Sequence, residues 1–528
     1  MLSFLFALFL FQAPAAAASA QSTPDTKPAP NPTQVAKPNF VFVLGEGLGW
    51  SSASVDFDGR EPSHAKPAGL TPNLERLAEG GLRFSDFYAT APRCTPSRAS
   101  FFTGISPAKL HMTYVNEGGA NRRERDDPAE IAARRVLPPS PSSELPSGVK
   151  TTGDVLRAAG YATAHFGKWH VGRTDPTKHG FDVSDGANTN QGPERGETPN
   201  PKQFGAITDR AIEFMRAQVQ AKKPFFVQVS HYSAANEDEV TPESLEFAKK
   251  LLPDARGKTL AIAAGTRDLD LAIGRVLATL RELGVDGNTY VFFSTDHGTP
   301  GGGGGREGGE RRAGANPPFV GGKGSVREGG VRVPFLVAGP GVQAGSVSSV
   351  RASGMDLLPT LLELAGAPLV KSEKPDEPLV VEGGSLANVL KHAGAGAVER
   401  SHAELVLHFP HYDLDNGGPA TAIYSGAWKL VRNYETGRVT LHDLAKDREE
   451  AHDVAEKEQE VVKDLTARMD AYLKAVNAQM PTPNDGTAPK GGENEPRKEK
   501  GGGKKGGGKK GEGIERGEQE LHEVEHDD

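Results

Sequence analysis

Short apolar segments alternate with amphipathic segments over most of the chain. Asn39–Leu44, Phe225–Val229 and Tyr290–Ser294 are continuous apolar runs with β-branched and aromatic residues, typical of buried strands. Leu269–Leu283 spaces its apolar residues along one helical face, and Gly284 follows it, which predicts an amphipathic helix that ends there. We therefore expect an α/β fold in which a large mixed, mostly parallel sheet is sandwiched by helices.

Local signals add detail between these elements. Thr71-Pro72 predicts an N-cap followed by the first residue of a helix, and Gly80-Gly81 predicts its end. Residues 116–148 are polar and proline-rich, which indicates a long loop, and the Gly-rich residues 299–318 indicate a flexible insertion. Nearer the C-terminus, Thr421–Val431 is strand-like and Lys457–Ala475 is helical in pattern.

Changes in composition divide the chain into five segments. Residues 1–20 join an apolar run to a small-residue end, as in a signal peptide; the usual preceding Lys or Arg is absent, so an uncleaved anchor is the alternative. Residues 21–36 are predicted to be a disordered spacer, and residues 479–528, with Gly/Lys repeats and an acidic end, a disordered tail. Between them we expect a main domain over 37–370 and a smaller C-terminal α+β subdomain over 371–478.

Composition excludes some functions and singles out one residue. The formal net charge is -8, so the basic excess typical of nucleic-acid binding is absent. Beyond the signal peptide no segment is apolar enough for a stable membrane span, and we expect an exported protein, periplasmic or secreted. Exported proteins usually carry disulfides, yet this chain of 528 residues has a single cysteine, Cys94, which cannot form an internal disulfide.

The segment around this cysteine indicates an anion-binding helix terminus. In Cys94–Arg98, Thr95 is a suitable cap and Pro96 a suitable first helical residue, and Gly104 ends the helix. Free backbone N–H groups and the helix dipole favour an anion at such a terminus, and Arg98 adds a fork of donors one turn later. An ordinary capped helix would show the same local pattern.

The Cys-x-Pro-x-Arg pattern occurs together with other motifs, in an order that resembles the sulfatase family of the alkaline phosphatase superfamily. The resemblance extends over about residues 37–475. It implies an alkaline phosphatase-like fold, with the sulfatase catalytic domain over 37–370. The further segments that carry the resemblance are Asn39–Trp50, Gly167–His170, Asp296–Gly298, Gly322–Gly324, Glu328–Pro334, Asp356–Gly366 and Ala427–Leu444.

The resemblance implies a specific chemistry for Cys94. A formylglycine-generating enzyme would oxidise it to formylglycine, whose hydrate attacks the sulfur of a sulfate ester with the help of a divalent cation. Cationic side chains would hold the sulfate, and His170 would assist the second step. His231 is the candidate for protonating the leaving alcohol or contacting the sulfate, although it lies three or more residues before the position that the family's histidine takes. The implied catalytic residues are Cys94, Arg98, Lys168, His170, Lys323 and His231.

The implied metal site departs from the family pattern. The family's first strand ends in two adjacent aspartates that bind Ca²⁺, whereas this chain has Glu46 and Gly47. A longer carboxylate still binds calcium, but the lost ligand predicts a weaker site or one that recruits water. Asp56 and Asp58 are nearby carboxylates that would compensate, although nothing in the sequence places them at the site. The implied ligands of the cation, with Ca²⁺ as its expected identity, are Glu46, Cys94, Asp296 and His297.

These observations predict an enzyme that hydrolyses sulfate esters. The substrate is expected to be a sulfated carbohydrate, or an aryl sulfate. One alternative is a catalytically impaired relative that binds sulfated glycans, which the changes at Gly47 and near His231 suggest and the intact Cys94–Arg98 motif opposes. A phosphatase or phosphonate-ester hydrolase of the same superfamily is the other alternative, and it lacks the additional histidines and aspartates of a two-zinc site.

Overall fold

The protein is described by a computed structural model over residues 37–59, 65–115, 128–189, 201–300, 316–368, 381–413 and 417–485. The predicted signal peptide and spacer, residues 1–36, lie outside the described residues, as do residues 486–528 of the predicted tail. Most of the Gly-rich insertion also lies outside them.

Two larger sheets and two small strand pairs organise the described residues. The strands are β1 (Asn39–Gly45), β2 (Leu82–Phe84), β3 (Phe87–Tyr88), β4 (Val136–Leu137), β5 (Ala162–Gly167), β6 (Val183–Ser184), β7 (Phe225–Ser230), β8 (Thr289–Thr295), β9 (Phe335–Ala338), β10 (Ser346–Ser348), β11 (Ala352–Ser353), β12 (Leu405–Phe409), β13 (Ala420–Ser425), β14 (Trp428–Asn433), β15 (Val439–Asp443) and β16 (Thr482–Pro483).

The main sheet has eight strands in the order β10-β2-β9-β8-β1-β7-β5-β6. Within it only β9 runs antiparallel to its neighbours, so the carboxyl ends of β8, β1, β7 and β5 meet at one edge. This confirms the predicted mixed, mostly parallel sheet. A second, four-stranded antiparallel sheet follows in the order β12-β13-β14-β15, as expected of a C-terminal subdomain.

Helices cover both faces of the main sheet. They are α1 (Pro72–Glu79), α2 (Cys94–Thr103), α3 (Pro107–Leu110), α4 (Pro128–Ala133), α5 (Thr152–Ala158), α6 (Phe204–Gln220), α7 (Pro242–Leu251), α8 (Gly257–Glu282), α9 (Glu328–Val331), α10 (Leu357–Leu364), α11 (Ala387–Lys391) and α12 (Gln459–Ala475). Alternate residues of β1 enter different cores: Phe42 packs with α2, α5 and α10, and Val43 packs with α1, α6 and α8. A strand buried on both faces has to be apolar throughout, which explains the continuous run.

Several predicted elements have different bounds in the structure. The helix predicted from Leu269 begins at Gly257, because the alanine-rich turns before it also form helix. Residues 116–148 were expected to be a loop, yet they include α4 and β4. The single strand predicted over Thr421–Val431 is a hairpin, since Gly426 turns the chain between β13 and β14.

Candidate active site

The carboxyl edge of the main sheet gathers the charged residues that follow its strands. Glu46 comes directly after β1, Lys168 after β5, and Asp296 with His297 after β8. Because these strands are neighbours and parallel, side chains separated by more than 200 residues in sequence lie side by side. Three of the predicted metal ligands, Glu46, Asp296 and His297, therefore meet at this edge. Lys168, one of the predicted cationic side chains, lies there too.

Cys94 reaches the same place from helix α2. It is the first residue of that helix, and Arg93, in an extended conformation, is the N-cap; the prediction that Thr95 caps the helix was wrong. The first helical turn closes through the Ser97 amide, which donates to the Arg93 carbonyl oxygen over 3.2 Å. The helix ends at Gly104 as predicted, with φ of 68°. The N-terminus of a buried helix, with its free N–H groups, thus carries the only cysteine.

Four residues form a compact group of metal-ligand type. One ligand atom from each of Glu46, Cys94, Asp296 and His297 lies within 4.8 Å of the others, and all four residues are buried. Cys94 Sγ lies 3.2 Å from His297 Nε2 and 3.6 Å from Glu46 Oε1. The four residues predicted as metal ligands are therefore together.

Hydrogen bonds orient both carboxylates of this group. Asp296 accepts from Arg98 Nε at 2.9 Å with one oxygen and from the Gly47 amide at 3.0 Å with the other. Glu46 accepts from Lys168 Nζ at 2.5 Å and from the Ser233 amide at 3.2 Å. Each oxygen keeps further lone pairs, so both groups remain able to ligate a cation.

His297 is oriented by a backbone hydrogen bond and occupies the space next to Gly47. Its Nδ1 lies 2.9 Å from the Gly298 carbonyl oxygen, which can only accept, so Nδ1 donates there and Nε2 is left facing Cys94. A Cβ atom at Gly47 would lie 3.2 Å from His297 Cε1. Two carboxylates, one imidazole and the side chain of residue 94 make a donor set that fits a divalent cation.

Buried cations dominate the electrostatics of the group. Burial alone would raise the pKa of Glu46, but Lys168, Lys323 and Arg98 outweigh it and lower the pKa to about 2. Burial also opposes ionisation of Cys94, yet Lys168 and Lys323 hold the pKa of its thiol well below the usual value. Burial would lower the pKa of Lys323, whereas Cys94 and Glu46 raise it. The site therefore stabilises negative charge at residue 94.

Backbone hydrogen bonds fix the remaining predicted residues. The Lys168 amide donates to the Ser230 carbonyl oxygen at 2.8 Å, and the His170 amide donates to Asn188 at 2.9 Å with φ of 55° at His170. The His170 side chain interacts with Cys94 and contributes to the low pKa of the thiol. Lys323 lies in a loop. The amide of the next residue, Gly324, donates to the Pro92 carbonyl oxygen at 2.9 Å. Lys168, His170 and Lys323 are thus all brought to Cys94.

Three other sequence candidates lie elsewhere. The His231 ring stacks on Phe204 at 5.4 Å between centroids, and burial lowers the pKa of His231 to about 3. Asp56 accepts hydrogen bonds from its own loop, and Asp58 pairs with Arg448. Neither aspartate belongs to the metal-ligand group, so neither replaces the ligand lost at Gly47.

Sequence reasoning missed the residues that shape the approach to this group. A cavity of about 280 Å³ lies beside it, lined by Arg93, Tyr232, Lys258 and Asp413 together with Glu46 and Lys323. Arg93 directly precedes the cysteine, and this position in the sequence was a signal that could have identified it as a residue near the site. Asp413 lies 320 residues from Arg93, and no local pattern connects them.

Comparison with known proteins agrees with this geometry. Residues 38–367 match the family model described as Sulfatase, and residues 322–479 match the one described as N-sulphoglucosamine sulphohydrolase, C-terminal. N-acetylgalactosamine-6-sulfatase of Sus scrofa is 32% identical over 361 residues, 62% of this chain and 62% of that protein. Arylsulfatase A of Homo sapiens is 28% identical over 426 residues, 74% of each chain. The chain thus spans less than two thirds of the pig protein's length.

Solved structures share the fold. The crystal structure of Ps i-CgsB in complex with k-i-k-neocarrahexaose has a TM-score of 0.64 at 24% identity and covers 83% of this chain and 93% of that one. The PsFucS1 sulfatase from Pseudoalteromonas sp. has a TM-score of 0.59 at 20% identity, covering 84% and 91%. Since the Sulfatase family model alone spans more than half of the sequence, this chain belongs to the sulfatase family.

Proposed function

We propose that the protein is a sulfatase that hydrolyses sulfate esters of a carbohydrate. The observation that carries the proposal is the position of Cys94, the first residue of a buried helix, in contact with His297 and surrounded by buried cations. A sugar substrate is supported by relatives named N-acetylgalactosamine-6-sulfatase and by a solved relative in complex with neocarrahexaose. Aryl sulfates are the alternative substrate class.

The proposed nucleophile is formylglycine, made from Cys94 by a formylglycine-generating enzyme. Its hydrate carries two hydroxyl groups on one carbon. One hydroxyl loses its proton and attacks sulfur, the bond from sulfur to the alcohol oxygen breaks, and the alcohol leaves with a proton. The second hydroxyl then loses its proton and becomes the carbonyl oxygen, the carbon–oxygen bond to sulfate breaks, and sulfate departs. Water restores the hydrate.

The chain's own residues have separate roles in these steps. Lys168 and Lys323 neutralise the hydrate oxygens and the sulfate, and Arg98 Nη2, buried with no hydrogen-bond partner among the described residues, donates to a sulfate oxygen. His170 takes the proton of the second hydroxyl, a role supported by the interaction of its side chain with residue 94. His231 is not assigned a role, because its ring is stacked on Phe204.

Glu46, Asp296, His297 and residue 94 would hold one divalent cation, for which we propose Ca²⁺. When bound, this ion lowers the pKa of the attacking hydroxyl and neutralises a sulfate oxygen. Calcium is favoured because two of the three side-chain ligands besides residue 94 are carboxylates, whereas the His297 nitrogen suits a transition metal. Calorimetric titration of the metal-free protein with Ca²⁺, Mn²⁺ and Zn²⁺ tests the identity of the cation. Much tighter binding of Zn²⁺ than of Ca²⁺ would contradict the proposal of calcium.

The nucleophile is tested with the full chain expressed in a host that contains the converting enzyme. Mass spectrometry of the peptide that holds residue 94 should show the aldehyde, and 4-nitrophenyl sulfate should be turned over faster than the phosphate. Cys94→Ala should abolish turnover. Cys94→Ser keeps one hydroxyl but has no second one to expel sulfate, so at most a single turnover is expected. An unmodified cysteine in an active enzyme would overturn the proposal.

The role of Lys323 is tested separately. Removing one cation that faces developing charge costs on the order of a hundredfold in rate, which is the loss of kcat/KM expected for Lys323→Gln. Lys249→Gln on α7 is the matched control, since the Lys249 side chain is 43% exposed and pairs only with its own helix neighbour Glu246 among the ion pairs of the described residues. Equal effects of the two variants would contradict the role.

We also propose that the protein is exported. The support is the apolar run and small-residue end within residues 1–20, which lie outside the described residues. Among the described residues, no helix is both long enough and apolar enough to cross a membrane. Cell fractionation with N-terminal analysis of the purified protein tests this: a mature N-terminus near Gln21 in the exported fraction is expected, and an intact Met1 in the cytoplasm would contradict it.

A further inference from the structure

The cavity beside Cys94 has a polar part and an apolar part. Lys258, Ile262, Gly265 and Leu269 line it from one face of α8, as their spacing along the helix requires. Apart from Lys258 this wall offers carbon to the cavity, and Phe204 extends it. The polar part comes from Lys323, Arg93 and Asp413, next to Glu46. A ligand that presents both C–H surface and hydroxyl groups matches such a lining.

Arg93 and Asp413 form a bidentate ion pair on the polar part of the lining. Arg93 Nε and Nη2 each donate to a different oxygen of the Asp413 carboxylate. The Asp413 side chain is fully buried, and the Arg93 side chain is 16% exposed. Neither residue belongs to the metal-ligand group. The pair is therefore a separate feature of the cavity.

The fold holds this pair firmly. The Arg93 guanidinium lies over the Tyr114 ring at 5.5 Å, and His411, two residues before Asp413, hydrogen-bonds with Thr113 at 2.8 Å. A Cβ atom at Gly324 would lie 2.8 Å from Asp413 Cγ, so the glycine after Lys323 allows the carboxylate to pack against that loop. The pair joins the residue before the nucleophile to the segment that follows β12.

An arginine held on a cavity wall has a chemistry that suits a hydroxyl group. A guanidinium only donates hydrogen bonds, and a hydroxyl oxygen accepts them. Asp413 binds the Nε and Nη2 donors of Arg93, and the Arg93 side chain, which is 16% exposed, is left to donate to a hydroxyl oxygen in the cavity. As a purely structural feature the pair would add little to the stability of the fold, because the cost of burying the two charges offsets most of their attraction.

We propose that Arg93, positioned by Asp413, donates a hydrogen bond to a ring hydroxyl of the sugar that carries the sulfate ester, a proposal that rests on the proposed function. The cavity volume of about 280 Å³ is near the lower limit for ligand pockets, roughly 300 Å³, and has room for about one sugar ring. The pair thus makes the enzyme selective for a sulfated monosaccharide unit over a sulfate ester without hydroxyls. The α8 face packs against the C–H groups of the ring.

The test compares two esters with the same enzyme variants. The sugar substrate is whichever of galactose 6-sulfate, N-acetylgalactosamine 6-sulfate and N-acetylglucosamine 6-sulfate is hydrolysed fastest, and the reference is 4-nitrophenyl sulfate. Asp413→Asn and Arg93→Lys should lower the ratio of kcat/KM for the sugar to that for the aryl ester by about 10- to 100-fold, the loss typical of hydrogen bonds to charged groups. Thr113→Val, which loosens the same segment without lining the cavity, should leave the ratio unchanged.

A binding measurement separates this proposal from the sulfatase activity itself. Calorimetry with the Cys94→Ala protein and the same sugar without its sulfate should show binding that Asp413→Asn weakens by tenfold or more. If the protein hydrolyses neither ester but sugar binding depends on Asp413, the proposed function fails and the subsite stands. If both esters are hydrolysed and neither the ratio nor sugar binding changes in the variants, the subsite is wrong. Equal losses on both esters, with sugar binding unchanged, would also overturn it.

Discussion

Gly47 occupies the position where the family pattern has a second aspartate, and its surroundings explain why a side chain is absent. Its φ is 59°, in the left-handed region, and its amide donates to Asp296. A Cβ atom there would approach His297 Cε1 to 3.2 Å, and His297 is fully buried with its Nδ1 bound to Gly298. The His297 ring therefore fills the space beside Gly47 and leaves little room for a side chain at position 47.

From this contact we expect Gly47→Asp to weaken metal binding. The new side chain crowds the His297 ring and shifts it within the ligand group, and the left-handed backbone costs about 1 kcal/mol for a residue with a Cβ atom. Calorimetric titration of the metal-free variant should show at least tenfold lower affinity, about 1.4 kcal/mol.

Gly47→Ala is the control for this change, because it adds the Cβ atom without a carboxylate. A comparable loss of affinity in both variants would identify the contact with His297 as the cause. The double variant Gly47→Asp with His297→Asn should recover part of the affinity, since asparagine is smaller than histidine. Tighter binding by the single Gly47→Asp variant would show that the ring yields and that the prediction is wrong.

The N-terminus of helix α1 is predicted by its own sequence, but it is capped by a residue of another helix. Thr71 precedes the helix as predicted, but its side chain makes no capping hydrogen bond and instead bonds with Ser54. The acceptor for the first turn is Asp270 of α8, which accepts from the Asn73 amide at 3.0 Å and the Leu74 amide at 2.8 Å. One carboxylate thus both caps α1 and fixes it against α8.

Asp270→Asn is expected to destabilise the protein by about 1–3 kcal/mol, because one amide oxygen replaces a charged carboxylate as acceptor for buried N–H groups. The free energy of unfolding from urea denaturation measures this loss. Asp209→Asn is the matched control: Asp209 is 55% exposed and pairs with the half-exposed Arg275, so a change of no more than about 0.5 kcal/mol is expected. Equal losses in both variants would refute the cap.

At the scale of the molecule, one buried carboxylate connects the second sheet to the small β3–β11 strand pair. Glu328 in α9 accepts from Arg332 at 2.7 Å and from Tyr88 of β3 at 3.0 Å with one oxygen. Its other oxygen accepts from Tyr424 of β13 and from Lys429 of β14, both at 2.9 Å. All five residues are buried, so a polar network joins the second sheet to β3 and α9.

Glu328→Gln should destabilise the protein by about 1–3 kcal/mol at neutral pH, because Lys429 and Arg332 lose one charged acceptor and keep only Glu450 and Asp86 as counter-charges. Burial raises the pKa of Glu328, but Lys429 and Arg332 outweigh it and lower the pKa from 4.5 to about 2. The folded state therefore favours the ionised form, and its stabilisation is complete above pH 4.5 and is lost as the pH falls toward 2.

Denaturation at a series of pH values tests this prediction. The difference in unfolding free energy between wild type and Glu328→Gln should be largest near neutral pH and should shrink below about pH 4.5. Glu449→Gln is the control, since Glu449 is an exposed carboxylate in the same region of the chain. A difference that stays constant with pH would show that the charge of Glu328 is not what stabilises the junction.

Much of the fold and part of the site followed from local sequence. Continuous apolar runs predicted β1, β7 and β8, because a strand covered by helices on both faces has no polar side. The family resemblance carried by Cys94–Arg98 and the later motifs is confirmed by the family match over residues 38–367. These features were accessible because each depends on a few consecutive residues.

What the sequence left open depends on residues that are distant in the chain. The stacking of His231 on Phe204, the packing of His297 beside Gly47, and the pairing of Arg93 with Asp413 join separate segments, the last across 320 residues. The sequence shows that these side chains are charged or aromatic. Their partners depend on the order of the strands in the sheet and on how the loops pack at its edge. Local pattern singled out Cys94; packing determined its surroundings, since contacts of this kind carry no signature in consecutive residues.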